Sequence, residues 1–305
     1  MRIPTTFRDR SDIAVIGPRK RDDRLSTGTM TASDRGLRFI FGTMPQSAPA
    51  TLVMTGSGER IVLRFRAAHP AKVLLYLSSA DTSRWHVSVD VEDGAEATLS
   101  CFILGSTRNA SFDRRYAIGE AASLDLSTFL LNGGTTTVAD HAVISGALGA
   151  FRAETLAVLT ADDRLAAVQD VRHLARSTTS SIVNSLVAAG SATIGFDVTG
   201  AIGKGNAGSD CKQSNRGVLL GEKAVIEVSP KLLIDEFDVQ AGHGCAIGRV
   251  NADELYYLTS RGLDETTAKR LVVSGYVAPF VAKIDDPSIR RNVEKMLSTK
   301  LGGDI

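Results

Sequence analysis

The chain has 305 residues, 43% of them hydrophobic, with 35 basic against 34 acidic side chains. That length and apolar content bury a substantial core in one large or two ordinary domains, and the near-neutral balance recruits neither nucleic acid nor an anionic membrane surface. Three cysteines without CxxC spacing exclude a disulfide framework and fit a reducing compartment, the cytoplasm.

Residues 1–58 mix Arg, Asp, Ser, Thr and Pro with short apolar patches such as Leu37–Phe41, and read as an irregular lead-in. Arg19, Lys20 and Arg21 lie together, but Asp9, Asp12, Asp22 and Asp23 interleave with the basic residues, which describes a solvated arm. The opening MRIPTTFRDRSD carries charge where a signal peptide needs an apolar core, and no apolar run approaches the length of a membrane span.

From Arg60 the texture changes. IVLRFRA, KVLLYLSS, WHVSVDVE, ATLSCFIL, ASLDLSTFLL, ETLAVLT, SIVNSLVA and AVIEVS follow one another, many alternating apolar and polar at period two. That alternation marks half-buried strands. Turn chemistry separates them at Asp93-Gly94, Gly133-Gly134, Asp162-Asp163 and Ala189-Gly190. Strand starts fall roughly 11 to 16 residues apart, leaving room for turns and none for crossover helices. A mainly β body over 59–250 follows. Periodicity alone leaves a sandwich, a barrel or a parallel solenoid open.

Residues 251–305 read as a helical region. Asn251 with Glu254 three residues on forms a capping-box pattern, Asp264 caps a second helix, and Asp286-Pro287 starts a third. Ala268, Leu271, Val272 and Gly275 share one face of the second helix. Ile289, Val293, Met296 and Leu297 follow at helical spacing in the third, until Gly302-Gly303 stops the run.

The chemistry-bearing residues crowd the junction between body and tail. His243 lies between Gly242 and Gly244, read here as a Gly-His-Gly-Cys turn, so its imidazole is accessible and another backbone can come close. With the soft sulfur of Cys245 two residues on, it forms a candidate iron or zinc ligand pair. Cys211, flanked by Asp210 and Lys212, reads as exposed with a pKa that Lys212 can lower, a second metal candidate. Cys101 reads as core and His173 as a structural strand-end residue. Asp235, Glu236 and Asp238 read as carboxylates pointing outward from a strand. Tyr257 and Arg261 pair at i,i+4 on the first tail helix. The chain has no GxxxxGK[ST] loop, GxSxG elbow or HExxH motif, so this chain binds no nucleotide by a P-loop.

The run His243-Gly244…Gly248-Arg249, followed by Glu254-Leu255-Tyr256-Tyr257-Leu258-Thr259-Ser260-Arg261-Gly262, resembles the HGATxGR…FYLxSRG signature of the SufB/SufD family of iron–sulfur cluster assembly scaffolds, on its SufD side. Asn215–Leu220 resembles that family's NRxLLL run, and His173 with Thr178-Thr179-Ser180 its H…TTS element. The likeness covers roughly the last 135 residues. It implies a right-handed parallel β-helix followed by a helical region for partner docking. It also implies a scaffold rather than an enzyme, a SufB-like partner chain, and a SufC-type ABC ATPase docked on the 251–301 helices near Tyr257 and Arg261. His243 and Cys245 then lie where a transient iron–sulfur cluster forms at the subunit seam. The cysteine and the glutamate that SufB carries at this site are replaced here by Asn215 and Gly244, and the cysteine that often precedes the SufD histidine by Ala241-Gly242. This favours an accessory half of a two-chain site. Two alternatives stand beside it: a homodimeric scaffold working with SufC alone, and a β-helix enzyme acting on carbohydrate, which the single Trp and 6% aromatic content disfavour.

Overall fold

The computed structural model describes residues 13–17, 20–23, 25–33, 36–56, 58–78 and 82–302. Its body is a parallel β-solenoid of about eight turns. Among the described residues, ten strands form one sheet and nine the other, and successive strands alternate between them through most of the chain. Ser123 lies beside Ala150, Ala150 beside Thr179, Thr179 beside Asp210 and Asp210 beside Gln240, so a turn takes 27 to 31 residues. The strand on the opposite sheet serves as the crossover, which is why parallel pairing needs no helix here.

Regular structure begins well before residue 59. Gly36–Phe41 and Ala50–Thr55 already run parallel to Arg60–Phe65 and Ala71–Ser78 in the two ladders, and Thr29–Ser33 joins the first edge antiparallel. Phe39, Phe41, Leu52 and Met54 are buried. Their apolar runs last only a few residues between glycines and charges, too short for alternation to stand out. Arg19, Asp9 and Asp12 lie outside the described residues.

Inward positions stack in register from turn to turn. One column reads Val73, Leu99, Leu126, Ala153, Ile182, Gln213, His243, and its neighbour Leu75, Cys101, Thr128, Thr155, Asn184, Asn215, Cys245. Both change from apolar to polar toward the C-terminal end. The buried Arg114 donates two 2.7 Å hydrogen bonds to Asp140 and a third to Thr128. Gln169 donates to Thr155, and Asn184 donates to the Gln169 and Asn215 oxygens at 2.7 and 2.9 Å. A polar seam therefore threads an otherwise apolar interior. It is tolerable because its members supply most of each other's partners, although the buried Asn184 Oδ1 has no donor among the described residues.

Three helices follow the last strand. Asn251, Asp264 and Asp286 accept from the first free backbone N–H groups of Ala252–Ser260, Glu265–Val281 and Pro287–Leu301, as their positions predict, while Gly302 ends the third in the left-handed region. Of the capping box only the Asn251 half forms among the described residues, its side chain accepting from the Asp253 N–H. The second and third helices lay Val273, Val277, Phe280, Ile289, Val293 and Leu297 on the outer face of the ten-stranded sheet, against Val53, Leu74, Phe102, Phe129, Leu156, Val187 and Val218. Each such aliphatic contributes about 1.5–3 kcal/mol when fully buried. Lys283 to Glu154 at 2.6 Å and Lys300 to Asp163 at 3.0 Å fix the docking. The second helix turns a different face inward from the one its spacing suggests: Val273 and Val277 are buried, Leu271 is exposed. Apolar residues surround much of that helix, so periodicity alone cannot choose. No helix among the described residues is long and apolar enough to cross a membrane.

Candidate functional site

The C-terminal mouth of the solenoid is where the candidate residues gather. Among the described residues the last strand, Gln240–Arg249, has a neighbour on one side only, Asp210–Leu219; Val225–Ile234 likewise ends the other sheet. The chain from Asp235 to Val239 makes the turn, and residues 240–249 are continuous strand. Gly242–Cys245 is therefore extended backbone, where a turn was expected from its glycines. Those glycines have ordinary φ, and a Cβ at Gly242, Gly244 or Gly248 would meet nothing within 4 Å. Nothing inside this chain requires them to be glycine, although glycine weakens a strand.

His243 and Cys245 sit above the buried Gln213 and Asn215, on the inward side of their strand. With no further turn above them, both are exposed. Asn215 donates through Nδ2 to the Gly244 carbonyl at 3.3 Å, tying the last strand to the seam below. An imidazole nitrogen and a thiol sulfur two residues apart on one strand face form a soft ligand pair. Among the described residues no group of three or more His, Cys, Asp and Glu stands close enough to hold a metal ion. His243 and Cys245 are thus an incomplete ligand set by themselves.

Cys211 does not join them. It is 1% exposed, it stands in register beneath Ala241, and a Cβ on Gly200 would lie 2.4 Å from its sulfur. Burial pushes its thiol up, weakly opposed by a hydrogen bond with Ser180. The expected exposed, low-pKa thiol is thus a neutral core group. Its charged neighbours alternate outward instead, where Lys212 pairs with Asp210 at 2.6 Å. Cys101 is buried, and desolvation pushes its thiol up as well.

His173 is fully buried, with Nδ1 2.7 Å from Thr178 Oγ1 and Nε2 2.8 Å from Ser180 Oγ. Thr178 donates to the Ala175 carbonyl, so its oxygen accepts from Nδ1–H and Ser180 donates to Nε2. Burial lowers the ring's pKa to about 4. This histidine is structural. Asp235, Glu236 and Asp238 lie in the turn rather than on a strand. Glu236 accepts from the Gly205 and Phe237 N–H groups at 2.8 Å, which draw its pKa below the usual carboxylate range and lock the turn. Phe237 at its tip is fully exposed.

On the first tail helix the Arg261 guanidinium lies 5.3 Å from the Tyr257 ring centroid. This helix buries none of its residues, so the pair does not seal it to the body, and Tyr256 and Tyr257 face solvent. The acidic residues on the outer face of the nine-stranded sheet are engaged as well, Asp170 with Arg172 and Asp113 with Arg115.

Asn184 and Gln213 carry no expectation from the sequence, and Asn215 enters only through the family resemblance. Gln213 and Asn215 sit at every second position of a strand, which is the signal that could have placed them inward.

Comparison with known proteins places the body of the chain in a family. Residues 46–276 match the profile described as SUF system FeS cluster assembly, SufBD core domain. The chain is 35% identical to the iron–sulfur cluster assembly protein SufD of Bacillus subtilis, over 42% of this chain and 30% of that protein. It is 27% identical to an iron–sulfur cluster assembly SufBD family protein of Mycobacterium tuberculosis, over 83% of this chain and 68% of that one. With the SufD of Escherichia coli it shares 26% identity, over 31% of this chain and 22% of that protein. The matches to the two SufD proteins thus span less than a third of their length. With a matching profile over most of its length, a solenoid body and an accessible histidine at the solenoid's mouth, this chain belongs to the SufBD family of iron–sulfur cluster assembly proteins.

Proposed function

We propose that the chain is the SufD-like half of a cluster assembly scaffold. It pairs through its open mouth with a SufB-like chain and docks a SufC-type ATPase on its tail helices. The observation that carries this is the uncovered last turn. An exposed strand edge invites pairing, three glycines leave room for another backbone, and His243 and Cys245 offer an incomplete ligand set. The exposed Tyr256 and Tyr257, with Arg261 beside the latter, are the contacts for the ATPase. Closure of two nucleotide-bound ATPase subunits would rotate the docked helices and shift the scaffold seam, a rigid-body coupling between distant sites. The chain itself is not an enzyme, and the three free cysteines suit the cytoplasm.

The test is an anaerobic pull-down with SufB-like and SufC-like chains from the same cell, followed by cluster reconstitution. His243→Ala should leave the complex intact and lower the cluster yield; an unchanged yield removes His243 from the site. Assembly with SufC and a second copy of this chain, without SufB, would replace the heteromeric reading with the homodimeric one.

A further inference from the structure

The residue directly beneath His243 carries an unusual feature. Gln213 is 4% exposed, and its Nε2 donates to the Lys231 carbonyl at 3.2 Å. Only the amide N–H₂ can donate to a carbonyl, so this bond fixes which end of the amide is nitrogen. The other end, Oε1, is buried without a hydrogen-bond donor among the described residues. A buried acceptor left unpaired costs about 1–3 kcal/mol, so an amide held in this orientation needs a donor. Below it in the column lies Ile182, which has none to offer from its side chain. Above it in register, on the next strand and on the same side of the sheet, stands His243; adjacent strand backbones lie about 4.8 Å apart. Among the described residues that ring makes no hydrogen bond of its own, so it is free to turn toward the amide.

We propose that Gln213 is the positioning residue for His243: its Oε1 accepts one ring N–H and thereby holds the other ring nitrogen, unprotonated, toward the open mouth. A metal-binding histidine is commonly fixed in this way, by a bond from its second nitrogen that selects tautomer and ring orientation. A neutral amide suits the task, because it accepts from the ring without adding a negative charge beside it. The inference rests on the reading of His243 as a cluster-site residue, and deepens it by naming what aims the ligand.

Long-range ¹H–¹⁵N spectra of the full chain labelled at histidine read the tautomer of each ring directly, with His243→Ala assigning the His243 signals. His243 should show one dominant tautomer at neutral pH. Gln213→Leu should shift the tautomer ratio roughly three- to tenfold, the worth of one neutral hydrogen bond, and Gln213→Glu, which keeps an acceptor, should restore the preference. His173, buried between Thr178 and Ser180, serves as the internal fold reporter. If its signals move in the leucine variant, Gln213→Met takes that variant's place. An unchanged His243 tautomer in a correctly folded leucine or methionine variant overturns the inference, as does failure of the glutamate to rescue. The spectra and the reconstitution separate the two ideas: an unchanged cluster yield in His243→Ala refutes the scaffold-site reading while the tautomer data still decide the role of Gln213.

Discussion

Acidification should unfasten this solenoid through His173. Its ring is enclosed, and burial, only partly opposed by the Asp210 carboxylate, lowers its pKa from 6.5 to about 4. Protonating the ring gives it two N–H groups and forces Ser180 from donor to acceptor, so the bonding pattern has to be rebuilt as well. In the unfolded chain the same ring takes up a proton near its ordinary value. Because the folded pKa is depressed, the stabilisation is fully present above pH 6.5 and is lost progressively as the pH falls toward 4. From these two values, relative to pH 7, the loss is about 2 kcal/mol at pH 5 and about 3 kcal/mol at pH 4. The assay is urea unfolding followed by circular dichroism from pH 7 to pH 4, comparing the native chain with His173→Gln. The variant should be less stable at pH 7 but lose less on acidification. A His173 imidazole that titrates near 6.5 in the folded chain, followed by NMR, would refute the reasoning, as would parallel pH profiles for the two proteins.

Three further outcomes are expected. Asp140→Ala leaves the Arg114 guanidinium buried without its carboxylate and should destabilise the chain by about 3–5 kcal/mol, whereas Arg114→Met combined with Asp140→Leu should recover most of that loss; equal losses would show that the pair matters less than its packing. A thiol reagent should modify Cys245 in the folded chain and reach Cys101 and Cys211 only after unfolding, counted by mass spectrometry, because only Cys245 is exposed. Gly244→Val should change the melting temperature little, since its side chain enters open space, yet weaken capture of the SufB-like chain in the pull-down; undiminished capture would mean that no partner lies against that face.

Much of the body was legible because outward polar residues alternate with inward apolar ones. His173, Cys101 and the three caps fell where their local context put them. The choice of parallel stacking was not legible, since period two is the same whichever way a neighbour runs, and it came from the family signature. The alternation also becomes ambiguous near the C-terminal end, where the inward column itself turns polar. Cys211, Gln213 and Asn215 look like surface residues when judged by their neighbours' charge, yet all three are buried in the lumen, where Asn215 pairs within the seam and the Gln213 Nε2 with the Lys231 carbonyl. The glycines around His243 misled for a related reason. Glycine usually signals a turn, and here the local backbone makes no such demand.

The apolar stripe on the ten-stranded sheet has a consequence for biogenesis. Val53, Leu74, Phe102, Phe129 and Leu156 are covered by helices that follow the last strand, so on the ribosome they emerge long before their cover does. Nascent chains of this protein therefore carry a sticky flank through most of their synthesis, a natural client surface for a chaperone. Termination anywhere before about residue 287 would leave that flank partly bare and the product prone to aggregate.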